Sequence, residues 1–96
     1  MFDDTSIEIL GNNPLNSTIK RIDGDLQETP GQKELIIEIE NYKFTISKIL
    51  YIDYLDPLID LSTYLKANGI IYKVLKVKNF SDYMEVYLYE LKRQVV

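Results

Sequence analysis

The sequence predicts a mainly β fold: a small antiparallel β-barrel of six or seven short strands, with at most one short helix and a long polar loop, in one domain over residues 1–96. Three observations carry this. Apolar residues recur with a period of two along much of the chain, and turn-forming clusters interrupt them about every eight to twelve residues. One strand also changes the phase of its apolar face midway, as a sheet does where it must bend sharply.

Residues 6–10 set Ile7 and Ile9 against Glu8 and stop at Gly11-Asn12-Asn13-Pro14, a cluster that favours turns. Residues 18–22 give a second short strand, ending at Asp23-Gly24-Asp25. The segment that follows, Asp25, Leu26, Gln27, Glu28, Thr29, Pro30, Gly31, Gln32 and Lys33, is polar and has no apolar face to bury. A solvated loop of considerable reach is expected there. Leu35, Ile37 and Ile39 then alternate with Glu34, Ile36, Glu38 and Glu40, with Ile36 the one apolar exception on the wet side. Asn41-Tyr42-Lys43 turns the chain, and Phe44, Ile46, Leu50 and Ile52 keep the period on the way back, with only Lys48 out of place. The pair reads as an antiparallel hairpin.

Residues 53–69 fit two descriptions. Asp56 as a cap, Pro57 at the first helical position, Leu58, Leu61 and Leu65 on one side and Gly69 after the end would make a helix. Asn68-Gly69 directly before a strand is, however, a strong hairpin signal, which makes residues 63–66 the partner strand. The hairpin is the preferred reading, and a single helical turn over residues 57–61 is compatible with both.

After Gly69, Ile70, Tyr72 and Val74 share one face while Leu75 and Val77 fall on the other, which predicts a β-bulge at Val74-Leu75. In the last strand Met84, Val86 and Leu88 face one way, and Tyr83, Tyr87, Tyr89 and Leu91 the other. Both faces are partly apolar, more than a strand with one side in water requires. The tyrosine stripe is either a second layer of core or a protein interface, where tyrosine offers contact area at little cost in rotamer entropy. The residues leave both open.

With no cysteine and no histidine, the chain lacks disulfides, thiolate nucleophiles, the usual zinc ligands and the commonest general base near neutral pH. Ser47, Ser62 and Ser81 have no histidine partner, and Gly31-Gln32-Lys33 lacks the glycine spacing of a phosphate loop. Asp53, Asp56 and Asp60 match no EF-hand and read as turn residues. An intracellular, non-enzymatic protein without cofactor or metal is expected. Aspartates near the amino end and the lack of a long apolar stretch argue against a secretory leader or a membrane span. Fifteen acidic against eleven basic residues, a net charge of −4, oppose nucleic acid as the main ligand. Lys73, Lys76 and Lys78 beside Tyr72 and Phe80 have the residue types of single-strand binders, but alternate lysines also form the wet face of a strand and guard its edge.

The last forty or so residues resemble the carboxyl half of the head completion proteins of long-tailed bacteriophages, the stoppers or head closure proteins of the neck. The resemblance lies in Asp56-Pro57, the strand at residues 63–66, Asn68-Gly69, Tyr72-Lys73-Val74, Asn79-Phe80 with Asp82-Tyr83, and residues 85–91; Met1-Phe2-Asp3-Asp4 before a strand is also similar. It implies a barrel that joins copies of itself in a ring below the portal and connector, closing the DNA channel and presenting a tail attachment surface. Partners would be the connector or adaptor, the portal ring and tail proteins, with packaged DNA contained rather than bound and no membrane. Assembly would take place in the host cytoplasm, the final location would be the virion neck, and weak lateral contacts would leave the isolated chain monomeric. On this reading Tyr83, Tyr87, Tyr89 and Leu91 form the subunit interface, the loop at residues 25–33 faces the channel or the tail, and residues 92–96 can add to a neighbour's sheet. The alternatives are a small acidic binding module or inhibitor of a host or phage protein, and a single-stranded nucleic-acid-binding barrel using Tyr72, Lys73, Lys76 and Phe80.

Overall fold

Alternation of apolar and polar residues turns one side of six strands into a common interior. The computed structural model describes residues 4–28 and 36–91. They form β1 (Asp4–Gly11), β2 (Lys20–Glu28), β3 (Ile36–Ile39), β4 (Tyr42–Thr45), β5 (Lys48–Ile52), β6 (Tyr64–Ala67), β7 (Ile70–Asn79) and β8 (Met84–Glu90), with no helix among the described residues. Six strands close into an antiparallel barrel in the order β1-β2-β5-β8-β7-β6, with β6 pairing back to β1; β3 and β4 make a separate two-stranded sheet. The small antiparallel barrel expected from the sequence is the fold.

Ile7, Ile9, Leu50, Leu65, Val74 and Val86 fill the barrel and are fully buried, each contributing roughly 2 kcal/mol from apolar burial. Ile59, from the connection between β5 and β6, joins this core. The register of β7 against β8 shifts between Val74 and Lys76, where the bulge is expected. Beyond it the inward set resumes at Val77, which packs on the barrel core. Leu75 does not turn inward with Val77, as the alternation suggested. It joins a second cluster with Ile46, Ile49 and Tyr87, against which Ile37 and Phe44 of the β3–β4 hairpin, Tyr51 and Tyr89 pack. The hairpin thus covers part of the outer wall of the barrel, and the bulge supplies one of the residues it covers.

Three expectations are corrected in detail. Residues 25–28 are strand rather than loop: β2 runs through Gly24 to Glu28, pairing Asp25 with Tyr51 and Glu28 with Lys48. Gly24 suits this position because a Cβ there would lie 2.7 Å from Leu50 Cδ1 and 3.2 Å from the Tyr51 carbonyl oxygen, so a larger residue would displace the Leu50 methyl and crowd the neighbouring strand. The remainder of the proposed loop, Thr29, Pro30, Gly31, Gln32 and Lys33, lies outside the described residues. The return strand of the expected hairpin is two strands, β4 and β5, separated at Ile46 and Ser47, so that β4 stays with β3 while β5 enters the barrel. The strand at residues 63–66 is β6, and the possible helical turn before it is a hydrogen-bonded turn, not a helix.

Antiparallel pairing sends the β1–β2, β5–β6 and β7–β8 connections to one end of the barrel. The start of β1, the end of β8 and the β6–β7 turn lie at the other.

Candidate functional site

Outward residues of adjacent strands form a rung across the barrel wall. Asp4 of β1 pairs with Asp25 of β2, Asp25 with Tyr51 of β5, and Tyr51 with Glu85 of β8. The rung crosses a groove of about 600 Å³, also lined by Asp23, Gly24, Gln27, Ile52, Asp53, Asp82 and Tyr83. Six of these residues are carboxylates and none is Lys or Arg, so the groove presents concentrated negative charge between tyrosine rings. Asp25 is buried, and its carboxylate accepts a hydrogen bond from Gln27 Nε2 at 2.5 Å. Burial, reinforced by Glu85, pushes the Tyr51 phenol above its ordinary value and keeps it a neutral donor. Among the described residues no three carboxylates gather as metal ligands; the acids are spread along a wall.

The opposite sign gathers on β6 and β7. Residues 64–79 contain Lys66, Lys73, Lys76 and Lys78 and no Asp or Glu. The Lys73 ammonium lies 5.9 Å from the Tyr64 ring centroid, and those of Lys76 and Lys78 lie 5.7 and 5.4 Å from that of Tyr87. None of the four lysines is within ion-pair distance of a described carboxylate; the ion pairs of the described residues are Lys20–Asp56, Arg21–Glu8 and Lys48–Glu28. Tyr72, proposed with them for base stacking, is 1 % exposed inside the barrel, so it has no face to offer a base.

The tyrosine stripe divides. Tyr87 is buried in the second core, its hydroxyl donating to Glu85 at 3.0 Å, and Tyr89 is half-buried against Phe44. Both are used within the chain. Tyr83 is exposed, stacked on Phe80 with centroids 4.5 Å apart, and lines the acidic groove. Leu91 is half-buried, and its N–H donates to the Ile71 carbonyl at 3.1 Å. Residues 92–96, proposed to reach a neighbour's sheet, lie outside the described residues.

The three aspartates of the β5–β6 connection go separate ways. Asp53 lines the groove. Asp60 accepts from the Ser62 hydroxyl and N–H at 2.7 and 2.9 Å, which hold its carboxyl below the usual value and shape the turn into β6. Asp56 is buried, and burial alone would raise its pKa. Hydrogen bonds from the Leu58 N–H, Lys20 Nζ and Tyr54 hydroxyl, at 3.0, 3.0 and 2.9 Å, overcome this and hold the carboxyl below its ordinary range. These bonds fasten the connection to the start of β2 at the same end of the barrel.

That end is also the greasy one. Of the eleven large hydrophobic side chains exposed among the described residues, eight sit on its three connections: Leu15 and Ile19, Tyr54, Leu55, Leu58 and Leu61, and Phe80 and Tyr83. The other three, Ile36, Ile39 and Tyr42, are on the hairpin. So uneven a distribution makes that end an apolar patch rather than scattered exposure.

Sequence reasoning missed the groove because its residues come from four strands and two connections and meet only through the register. The available signal was the outward parity of Asp23, Asp25, Tyr51 and Glu85 on strands whose inward residues are apolar. No helix among the described residues is long and apolar enough to cross a membrane. In comparisons with known proteins, the chain matches no family model, no curated protein and no solved structure.

Proposed function

We propose that this chain is a non-enzymatic assembly protein, a head completion protein of the phage neck that forms a ring below the portal and connector, closes the DNA channel and offers the tail its attachment surface. The observation that carries the reading is the apolar end of a closed barrel. Closure leaves the barrel itself no free strand edge, so outside the β3–β4 hairpin partners are met through side chains. Eight exposed apolar side chains gathered on the connections at one end supply such a surface. The resemblance of residues 56–91 to the neck proteins gives that surface its setting.

The test is assembly with Leu55, Leu58 and Leu61 replaced by Ser. All three are exposed, so the subunit stays folded. DNA-filled heads without tails, or emptied heads, should accumulate. A normal yield of infectious particles would reject the reading.

A second reading, an acidic module that occupies a basic protein, is favoured by the groove. It differs from the first in requiring a stable one-to-one complex with that protein and no association between copies.

A further inference from the structure

We propose that the acidic groove is the socket for the lysine wall of a second copy of this chain, so that subunits join head to tail. The inference deepens the ring reading, on which it rests for its setting, by naming the two surfaces that meet.

Around the barrel the strands run β1, β2, β5, β8, β7, β6, which places β2 across from β7 and β5 across from β6. The groove is centred on β2 and β5. The lysines belong to β6 and β7. The centres of the two charge sets, Asp23, Asp25 and Asp53 on one side and Lys73 and Lys76 on the other, therefore lie on opposite walls, while the sets meet at Glu85 and Lys78, which are cross-strand partners. Opposed centres of this kind let identical subunits make a heterologous contact and continue it around a ring.

Lys66 stands across from Glu8 and Lys78 across from the groove's own Glu85, whereas Lys73 and Lys76 face tyrosines and meet no acid among the described residues of their own chain. Asp4 and Asp25 are direct cross-strand partners, and like charges so placed repel. No groove carboxylate is in an ion pair with a described residue, and the same is true of the four lysines. Docking one wall on the other relieves the Asp4–Asp25 repulsion and gives Lys73 and Lys76 acidic partners. The lysines are suited to it: the ammonium groups of Lys73, Lys76 and Lys78 already lie over tyrosine rings, which restricts the side chains and lowers the entropy lost on binding. In the socket, Tyr51 and Tyr83 offer further ring faces among the carboxylates. Acids spread along a wall suit a row of ammonium groups better than a single ion.

The test is zero-length carbodiimide cross-linking of the purified chain at millimolar concentration and low salt, using mixed isotope-labelled and unlabelled protein to identify links between copies. The expected links join Lys73 or Lys76 of one copy to Asp23 or Asp53 of another, and added salt suppresses them. Lys73→Glu with Lys76→Glu, or Asp23→Lys with Asp53→Lys, should lower dimer yield about tenfold, and mixing the two reversed proteins should restore it as a heterodimer. These positions are at the surface; should a reversal disturb the amide spectrum, the neutral Lys73→Gln with Lys76→Gln pair serves instead and should lower the yield in the same direction. Absence of salt-sensitive links, links indifferent to charge reversal, or links mapping elsewhere would overturn the inference. The neck reading fails separately, by normal particle yield in the leucine variant.

Discussion

The Phe44 ring meets the Tyr89 ring edge-on, with centroids 5.1 Å apart and planes at 79°, and this contact fastens the β3–β4 hairpin to the barrel wall. A two-stranded sheet has little stability of its own, so the hairpin depends on the apolar surface it covers. Replacing Phe44 with Ala should cost about 2 kcal/mol, part from lost burial and part from the ring pair. Amide exchange should accelerate in β3 and β4 while the barrel strands stay protected.

The turn of that hairpin uses an uncomfortable residue. Glu40 and Asn41 have φ of 50° and 70°, the same left-handed pair that Asn68 and Gly69 adopt at 53° and 80° in the β6–β7 turn. Asn-Gly suits this geometry, whereas Glu does not. Changing Glu40 to Asn and Asn41 to Gly should stabilise the protein by about 1 kcal/mol, measurable as a higher denaturant midpoint with an unchanged slope.

Asp56 predicts the acid limb of stability. Its folded pKa is depressed by Leu58, Lys20 and Tyr54, so its contribution is whole above the unfolded value of about 4 and is lost as pH falls through the folded value. Asp56→Asn should reduce stability at neutral pH by about 2 kcal/mol, because Lys20 and the Leu58 N–H lose a charged acceptor. The variant should also show a flatter fall below about pH 4.

Tyr54 predicts the alkaline limb. Partial desolvation first, then its hydrogen bond to Asp56, pushes the phenol up to about 12. The folded value lies above the unfolded one of about 10, so the stability it lends is intact below that pH and disappears as pH rises through the folded value. Tyrosinate absorbance should show a late-titrating fraction that Tyr54→Phe removes.

How far the fold was legible depended on whether its signal was local. Asn68-Gly69 announced the β6–β7 turn, and the doubled apolar residues Val74-Leu75 announced the bulge, because each signal lies within a few residues. Asp23-Gly24-Asp25 misled: the triplet has turn composition, yet Gly24 is there for the close approach of Leu50 and Tyr51, which are distant in sequence. The separation of β4 from β5 left one local trace, Lys48 out of place in the apolar period where β5 begins, but a single polar residue does not mark a change of sheet, and only pairing assigns the two strands. The tyrosine stripe was recognised as apolar, but whether Tyr87 met its own chain or another depended on where the hairpin folds back. The opposed acidic and basic walls needed the strand order, which no local pattern encodes.

The measurement that bears most directly on the proposed neck function is a cryo-electron microscopy reconstruction of particles assembled with this chain. The account predicts a ring of six-stranded barrels below the connector, each presenting β6 and β7 to the β2–β5 groove of the next, with the Leu55, Leu58 and Leu61 end against an adjoining ring. A neck without this barrel, or a ring in which the groove faces open solvent, would contradict it.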